Sequence, residues 1–167
     1  TCAPQHLPPF TAALLRRSLR EGIVPETALA CAAQSICELN RQDPNHPQNA
    51  TLPARTWATL AMQLAEASGS RPHQCWTYRL VASRVYPCLD TIPTALSLLD
   101  EAQRLGSNAG AWFGVGVTLG DRLLLSFYGG KPLNTLAAEI ARAIEWCRKY
   151  QNHWALDALM SLQLPVM

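Results

Sequence analysis

Apolar residues recur along most of this chain at intervals of three and four, the period of a helix with one buried face, and clusters of proline, glycine and small polar residues interrupt them. After Pro8-Pro9, the residues Ala12, Leu15 and Leu19 form one stripe, with Arg16, Arg17, Arg20 and Glu21 largely off it. Gly22 then offers a left-handed stop. Pro25 suits the first turn of a second helix, where a missing N–H costs nothing, and Leu29, Ala32, Ala33 and Ile36 carry its apolar face to about Leu39. Prolines and asparagines between Asn40 and Pro53 predict an inserted loop over 40–53, the longest in the chain.

A third helix is expected from Pro53, with Trp57, Leu60, Ala61 and Leu64 together and an end at Ser68-Gly69-Ser70. A fourth runs from about His73 to Tyr86, and Pro87 and Pro93 bracket the turn that follows. Ala95, Leu96, Leu99 and Ala102 mark a fifth, closing at Leu105-Gly106. The sixth, Asn108 to Tyr128, contains Gly110, Gly114, Gly116 and Gly120, a number that disfavours a helix unless another backbone approaches closely. After the Gly129-Gly130-Lys131-Pro132 turn, Leu136, Ala137, Ile140, Ile144 and Cys147 share one face and Glu139, Arg142, Glu145, Arg148 and Lys149 lie mostly opposite. The last segment, Asn152 to Leu162, carries Trp154, Ala155, Ala158, Leu159 and Leu162.

The odd-numbered helices begin at intervals of roughly forty residues, a spacing of stacked helix pairs. One pair cannot cover its apolar faces alone, and stacking on the next pair does so. The expected fold is all-α, about eight helices in antiparallel pairs, arranged as a tetratricopeptide-like α-α superhelix. Residues 1–167 are expected to be a single helical-repeat domain, a length that suits one core. A start at Thr1 without a signal peptide and an apolar Leu164-Pro165-Val166-Met167 end lead us to expect a piece of a larger protein.

Composition narrows the function. The chain is 49% hydrophobic and 16% charged, which argues against disorder, and its formal charge of +2 is scattered too thinly for a nucleic-acid footprint. The longest apolar stretch, Ala109 to Leu119, falls well short of the roughly 20 residues that span a bilayer. Cys2, Cys31, Cys37, Cys75, Cys88 and Cys147 form no CxxC pair, and several fall on apolar faces, so reduced, buried thiols in a cytoplasmic protein are expected.

The order Ala102, Arg104, Leu105, Gly106, Gly110, then Phe127, Gly130, Lys131, Pro132 and Leu133, with Glu139 in the next helix, resembles the tetratricopeptide-like helical region of large bacterial multidomain signalling proteins. Arg16 to Ala33 matches more weakly, through its Ser-Leu-Arg-x-Gly-x-x-Pro-Glu-x-Ala hairpin. Ala111 stands where that family usually places an acid, and the 40–53 loop looks like an insertion. In such proteins the helical region sits after a serine/threonine-kinase-like domain and a signal-transduction ATPase, and before GAF and histidine-kinase or nucleotide-cyclase domains. The resemblance implies a bacterial regulatory domain that links sensing to output, and the residues that carry it pack and turn the chain.

Candidate chemistry is sparse. Gly114-Val115-Gly116 with Gly120 has the wrong spacing for a dinucleotide loop, and Gly130-Lys131 precedes proline where a phosphate loop has Ser or Thr. Of the histidines and cysteines only His73 and Cys75 have ligand spacing, and no second pair joins them. Cys75 or Cys88 beside a distant histidine would be a nucleophile only in a geometry that sequence does not reveal, and a buried thiol is the simpler reading. Asn49-Ala50-Thr51 is an incidental glycosylation triplet. The five tryptophans, Trp57, Trp76, Trp112, Trp146 and Trp154, suit a core, with Trp76, Trp112 and Tyr128 as candidate liners of a ligand or partner groove.

The expectation is therefore a noncatalytic protein-interaction and signal-relay scaffold whose partners are adjacent domains or another protein, with no cofactor, no nucleic acid and no membrane. The alternative is a small-molecule-sensing helical-repeat domain. No carboxylate pair, triad order or metal set points to an enzyme.

Overall fold

The computed structural model describes residues 7–41 and 48–163. The fold is all-α, and every regular element among the described residues is a helix: α1 (Leu7–Glu21), α2 (Pro25–Asn40), α3 (Gln48–Ala67), α4 (Arg71–Leu80), a π turn (Val81–Val85) leading into α5 (Tyr86–Leu89), α6 (Ile92–Asn108), α7 (Trp112–Tyr128), α8 (Leu133–Lys149) and α9 (His153–Gln163). With α4, the π turn and α5 taken as one rod, these are the eight helical segments of the apolar pattern. Short turns make consecutive rods neighbours.

The packing order explains which residues are small. α2, α4, α7 and α9 touch in sequence as one row, while α3, α6 and α8 each pack against the row members that flank them. α2 lies among α1, α3 and α4, so it is buried nearly all round, and Ala28, Ala30, Cys31, Ala32 and Ser35 let its neighbours close in. α3 answers with Ala54, Ala58, Ala61 and Ala65, every one of them buried at helical spacing, flanked by the half-buried Trp57 and Leu64. Further along, Leu136, Ile140, Ile144 and Cys147 of α8 close on Ala155 and Leu159 of α9 and on Leu123 of α7.

Several boundaries differ from the sequence expectation. α3 starts at Gln48, so 48–53 is helix and not loop, while 42–47 lie outside the described residues. Pro53 sits just past the first turn and deprives the helix of one bond, which an otherwise well-packed twenty-residue helix tolerates. Pro87 likewise does not end its helix. The five-residue π turn before it, in which the Tyr86 N–H reaches the Val81 carbonyl, widens the rod where the proline ring would otherwise meet the carbonyl of Ser83. α6 continues past Gly106 to Asn108 and is stopped by Gly110, whose φ of +67° suits glycine, so α7 begins at Trp112 and not at Asn108.

The buried face of α1 is also rotated from the expected stripe. Thr11 is its fully buried residue, with Leu14, Leu15 and Ser18 beside it, whereas Ala12 is exposed and Leu19 is 88% exposed. The reason is that α1 packs chiefly on α2, and Ser18 hydrogen-bonds Thr27 across that contact at 2.8 Å, which turns the polar-edged side inward. On α9, Trp154 joins the outer surface at 55% exposure and Ala158 is exposed, while Ala155 and Leu159 hold the core.

Candidate functional site

The N-terminal half of α7 is closely approached by side chains of neighbouring helices, and its glycines show how. A Cβ on Gly114 would stand 3.3 Å from the Trp76 indole nitrogen, and one on Gly116 would stand 2.1 Å from Asn152 Nδ2. On α6, a Cβ on Gly106 would lie 2.8 Å from both Cys75 Sγ and Val115 Cγ2. Side chains, and not the close backbone expected from the sequence, press on these three positions, most tightly at Gly106 and Gly116. Gly120 is not pressed, since nothing lies within 4 Å of the Cβ position there.

Gly116 makes room for Asn152, a buried side chain that joins two turns. Its Nδ2 donates to the Trp112 and Phe113 carbonyls at 3.1 and 3.2 Å, and its Oδ1 accepts the Ala155 N–H at 3.2 Å as the cap of α9. The α6–α7 and α8–α9 turns are thereby held together, and their aromatic residues gather. Phe113 packs between Trp76 (5.8 Å between ring centroids) and Trp154 (6.0 Å). Trp112 stacks on Tyr150 at 4.5 Å and meets Trp146 at 6.2 Å. Phe113 and Trp154 remain more than half exposed, and Trp112 is 38% exposed. Three large aromatic side chains are thus left partly open to solvent at this end of α7.

Beside this surface runs a cleft of about 190 Å³ between the α4–π rod, α7 and α9, with Val117, Leu124, Trp154 and Leu162 among its apolar walls. Its polar side holds Arg79, whose Nε lies 2.8 Å from Asp121 Oδ2 and whose guanidinium sits 5.2 Å from the Trp76 ring centroid. The contact is a close ion pair between two largely buried groups. Burial pulls the Arg79 guanidinium below its ordinary value, and Asp121 opposes that pull.

The other side of α7 carries a charged hollow of about 420 Å³ against α6 and α8. There Arg122 bonds Asp100 at 2.6 Å and lies 3.7 Å from Glu139, which takes the Lys131 ammonium at 2.6 Å. Lys131 of the Gly-Gly-Lys-Pro turn and Glu139 are thus an ion pair that fixes the entry to α8. Trp146 forms part of the wall.

Of the three candidate groove residues, Trp76 packs on Phe113 and Trp112 on Tyr150 and Trp146, two separate aromatic groups at this end of α7. Tyr128 does not join them: it is 66% exposed and paired with Phe127 at the opposite end of α7, about 24 Å away along the axis. Phe113, Arg79, Asp121 and Asn152 were not singled out in the sequence. Arg79 and Asp121 meet across two helices, a pairing with no local signature, whereas Asn152 just before an apolar helix is a cap signal that could have been read.

The thiols Cys31, Cys37, Cys75 and Cys147 are buried, and burial raises each of them, Cys31 to about 11. Cys88 departs from the expectation of buried thiols and is exposed, because it lies on the outer side of the short α5. His73 bonds Ser70 at 2.7 Å and lies 3.5 Å from Glu26. Among the described residues no three His, Cys, Asp or Glu side chains converge as a metal-holding group, and no helix is long and apolar enough to cross a membrane.

In comparisons with known proteins, no protein-family model, no curated protein and no solved structure matches the chain.

Proposed function

We propose that this chain is a noncatalytic protein-interaction and signal-relay scaffold, a cytoplasmic regulatory segment of a bacterial signalling protein with a tetratricopeptide-like superhelical build. The observation that carries the reading is the exposed aromatic surface of Trp112, Phe113 and Trp154, held rigid from below by Asn152. Rigid aromatic side chains with a dry floor are the groups that supply most binding energy at protein interfaces. The unbroken α2–α4–α7–α9 row supports the superhelical build, since a row of this kind links a binding face at one position to helices several pairs away. Adjacent domains of the same protein, or a separate protein, would sit on that face.

Site-specific photo-crosslinking in bacterial cells tests this. A benzophenone amino acid at Phe113 is expected to give a discrete adduct, and the same group at Gln63, exposed on α3, is expected to give none. Equal labelling from both positions, or none from Phe113, would count against the scaffold reading.

A second reading, small-molecule sensing, is favoured by the hollow beside Arg122, Glu139 and Trp146, whose volume of about 420 Å³ is within the ~300–1,000 Å³ of ligand pockets. A thermal-shift screen with common metabolites is expected to show stabilisation that Trp146→Ala removes. A flat screen would set this reading aside.

A further inference from the structure

Gly120 lies in the middle of α7, where glycine disfavours the helix, and no neighbouring atom requires it. What it does face is the cleft between the α4–π rod, α7 and α9, which a side chain at that position would fill. The cleft keeps a charge imbalance as well. Arg79 and Arg84 both line it, near enough for the charge of Arg84 to act on Arg79, and Asp121 is the one carboxylate on its wall among the described residues. Arg84 is exposed and has no carboxylate partner among the described residues. A volume of about 190 Å³ is below the ~300–1,000 Å³ of small-molecule pockets. That space suits one bulky side chain entering from outside.

We propose that this cleft is the anchor point of the partner polypeptide: it takes one bulky apolar side chain, and acidic residues beside that side chain in the partner pair with Arg84. Gly120 keeps the floor open, Leu124 and Leu162 supply apolar contact, and the exposed Trp154 covers the inserted group at the rim. The Arg79–Asp121 pair neutralises itself, which leaves Arg84 as the unmatched cation and selects an acidic flank over a basic one. The inference rests on the scaffold reading and specifies the chemistry of its partner.

Selection of random dodecapeptides displayed on phage against the full chain tests it, and no partner has to be identified beforehand. Enriched peptides are expected to share a bulky apolar residue next to Asp or Glu. Their synthetic forms should bind at least tenfold more weakly to Gly120→Leu, which fills the cleft, and to Arg84→Glu, which reverses its charge. Gly120 has open space at its Cβ position and Arg84 forms no ion pair among the described residues, and circular dichroism checks that each variant stays folded. Binding should also weaken as salt rises. Enriched peptides that bind both variants as well as the parent chain, peptides with basic flanks, or no enrichment at all would overturn the anchor. A Phe113 adduct obtained alongside any of those results would leave the scaffold reading standing, and its absence would remove both.

Discussion

At the scale of single residues, the glycines of α6 and α7 divide by what faces them. Gly106 is closed in by Cys75 and Val115, so Gly106→Ala is expected to destabilise the chain by about 1–3 kcal/mol through overpacking. Gly120 faces open space, so Gly120→Ala is expected to stabilise it by about 0.5–1 kcal/mol through helix propensity. Urea denaturation of the two variants checks the opposite signs. If both destabilise alike, the account of Gly120 is wrong. The sequence revealed that α7 has too many glycines for an isolated helix, but not which of them are pressed by a neighbour. That depends on Cys75, Trp76 and Asn152, which come from other helices.

Thiol chemistry gives a second residue-scale test. In a Cys2→Ser background, chosen because Cys2 lies outside the described residues, one thiol per folded chain should react quickly with a disulfide reagent, and it should be Cys88. Cys31, Cys37, Cys75 and Cys147 should react only on unfolding. Burial raises the Cys31 thiol from 9.0 to about 11. An unfolded chain therefore releases this proton at lower pH than the folded one. The associated stability is complete below about pH 9 and is lost as pH rises through 11. Cys31→Ala should flatten part of the alkaline fall in urea midpoint, and an unchanged slope would contradict the assignment.

At the scale of elements, the helical periodicity was legible nearly throughout, and the clearest amphipathic segment, α8, buries Leu136, Ile140, Ile144 and Cys147 as its pattern requires. The misplaced boundaries share one cause. Pro53, Pro87 and Gly106 look like punctuation in isolation, yet each is accommodated by tertiary structure: a long helix packed on α2, a π turn, and a close crossing of α4, α6 and α7. Thr91 shows the opposite case, where a local rule holds. Its hydroxyl accepts the Thr94 N–H at 3.3 Å and caps α6, so Thr91→Ala should cost about 1 kcal/mol and Thr91→Gly only a few tenths. No loss on Thr91→Ala would mean that the cap bond contributes little.

At the scale of the whole molecule, stability should follow the row of helices. α1 packs chiefly on α2 and buries few residues, whereas α2, α4 and α7 are covered by several neighbours. Native-state hydrogen exchange is expected to be fastest in α1 and slowest in α2, α4 and α7. Uniform protection along the chain would instead indicate a single all-or-none body. The candidate site was only half legible at this scale. Trp76 and Trp112 could be suspected from their type, but the bonds of Asn152 that hold the Trp112–Phe113 turn to α9, and the separation of Tyr128, follow from the path of α7.

The central claim is the proposal that the aromatic face beside the cleft binds a partner. The most direct measurement is the affinity of the purified chain for the protein trapped by crosslinking at Phe113, compared between the parent chain and the Phe113→Ser, Trp154→Ser double variant by titration calorimetry. The account predicts a melting temperature little changed and an affinity at least tenfold weaker, about 1.4 kcal/mol or more. An affinity within about twofold of the parent chain's, with the fold intact, would contradict it.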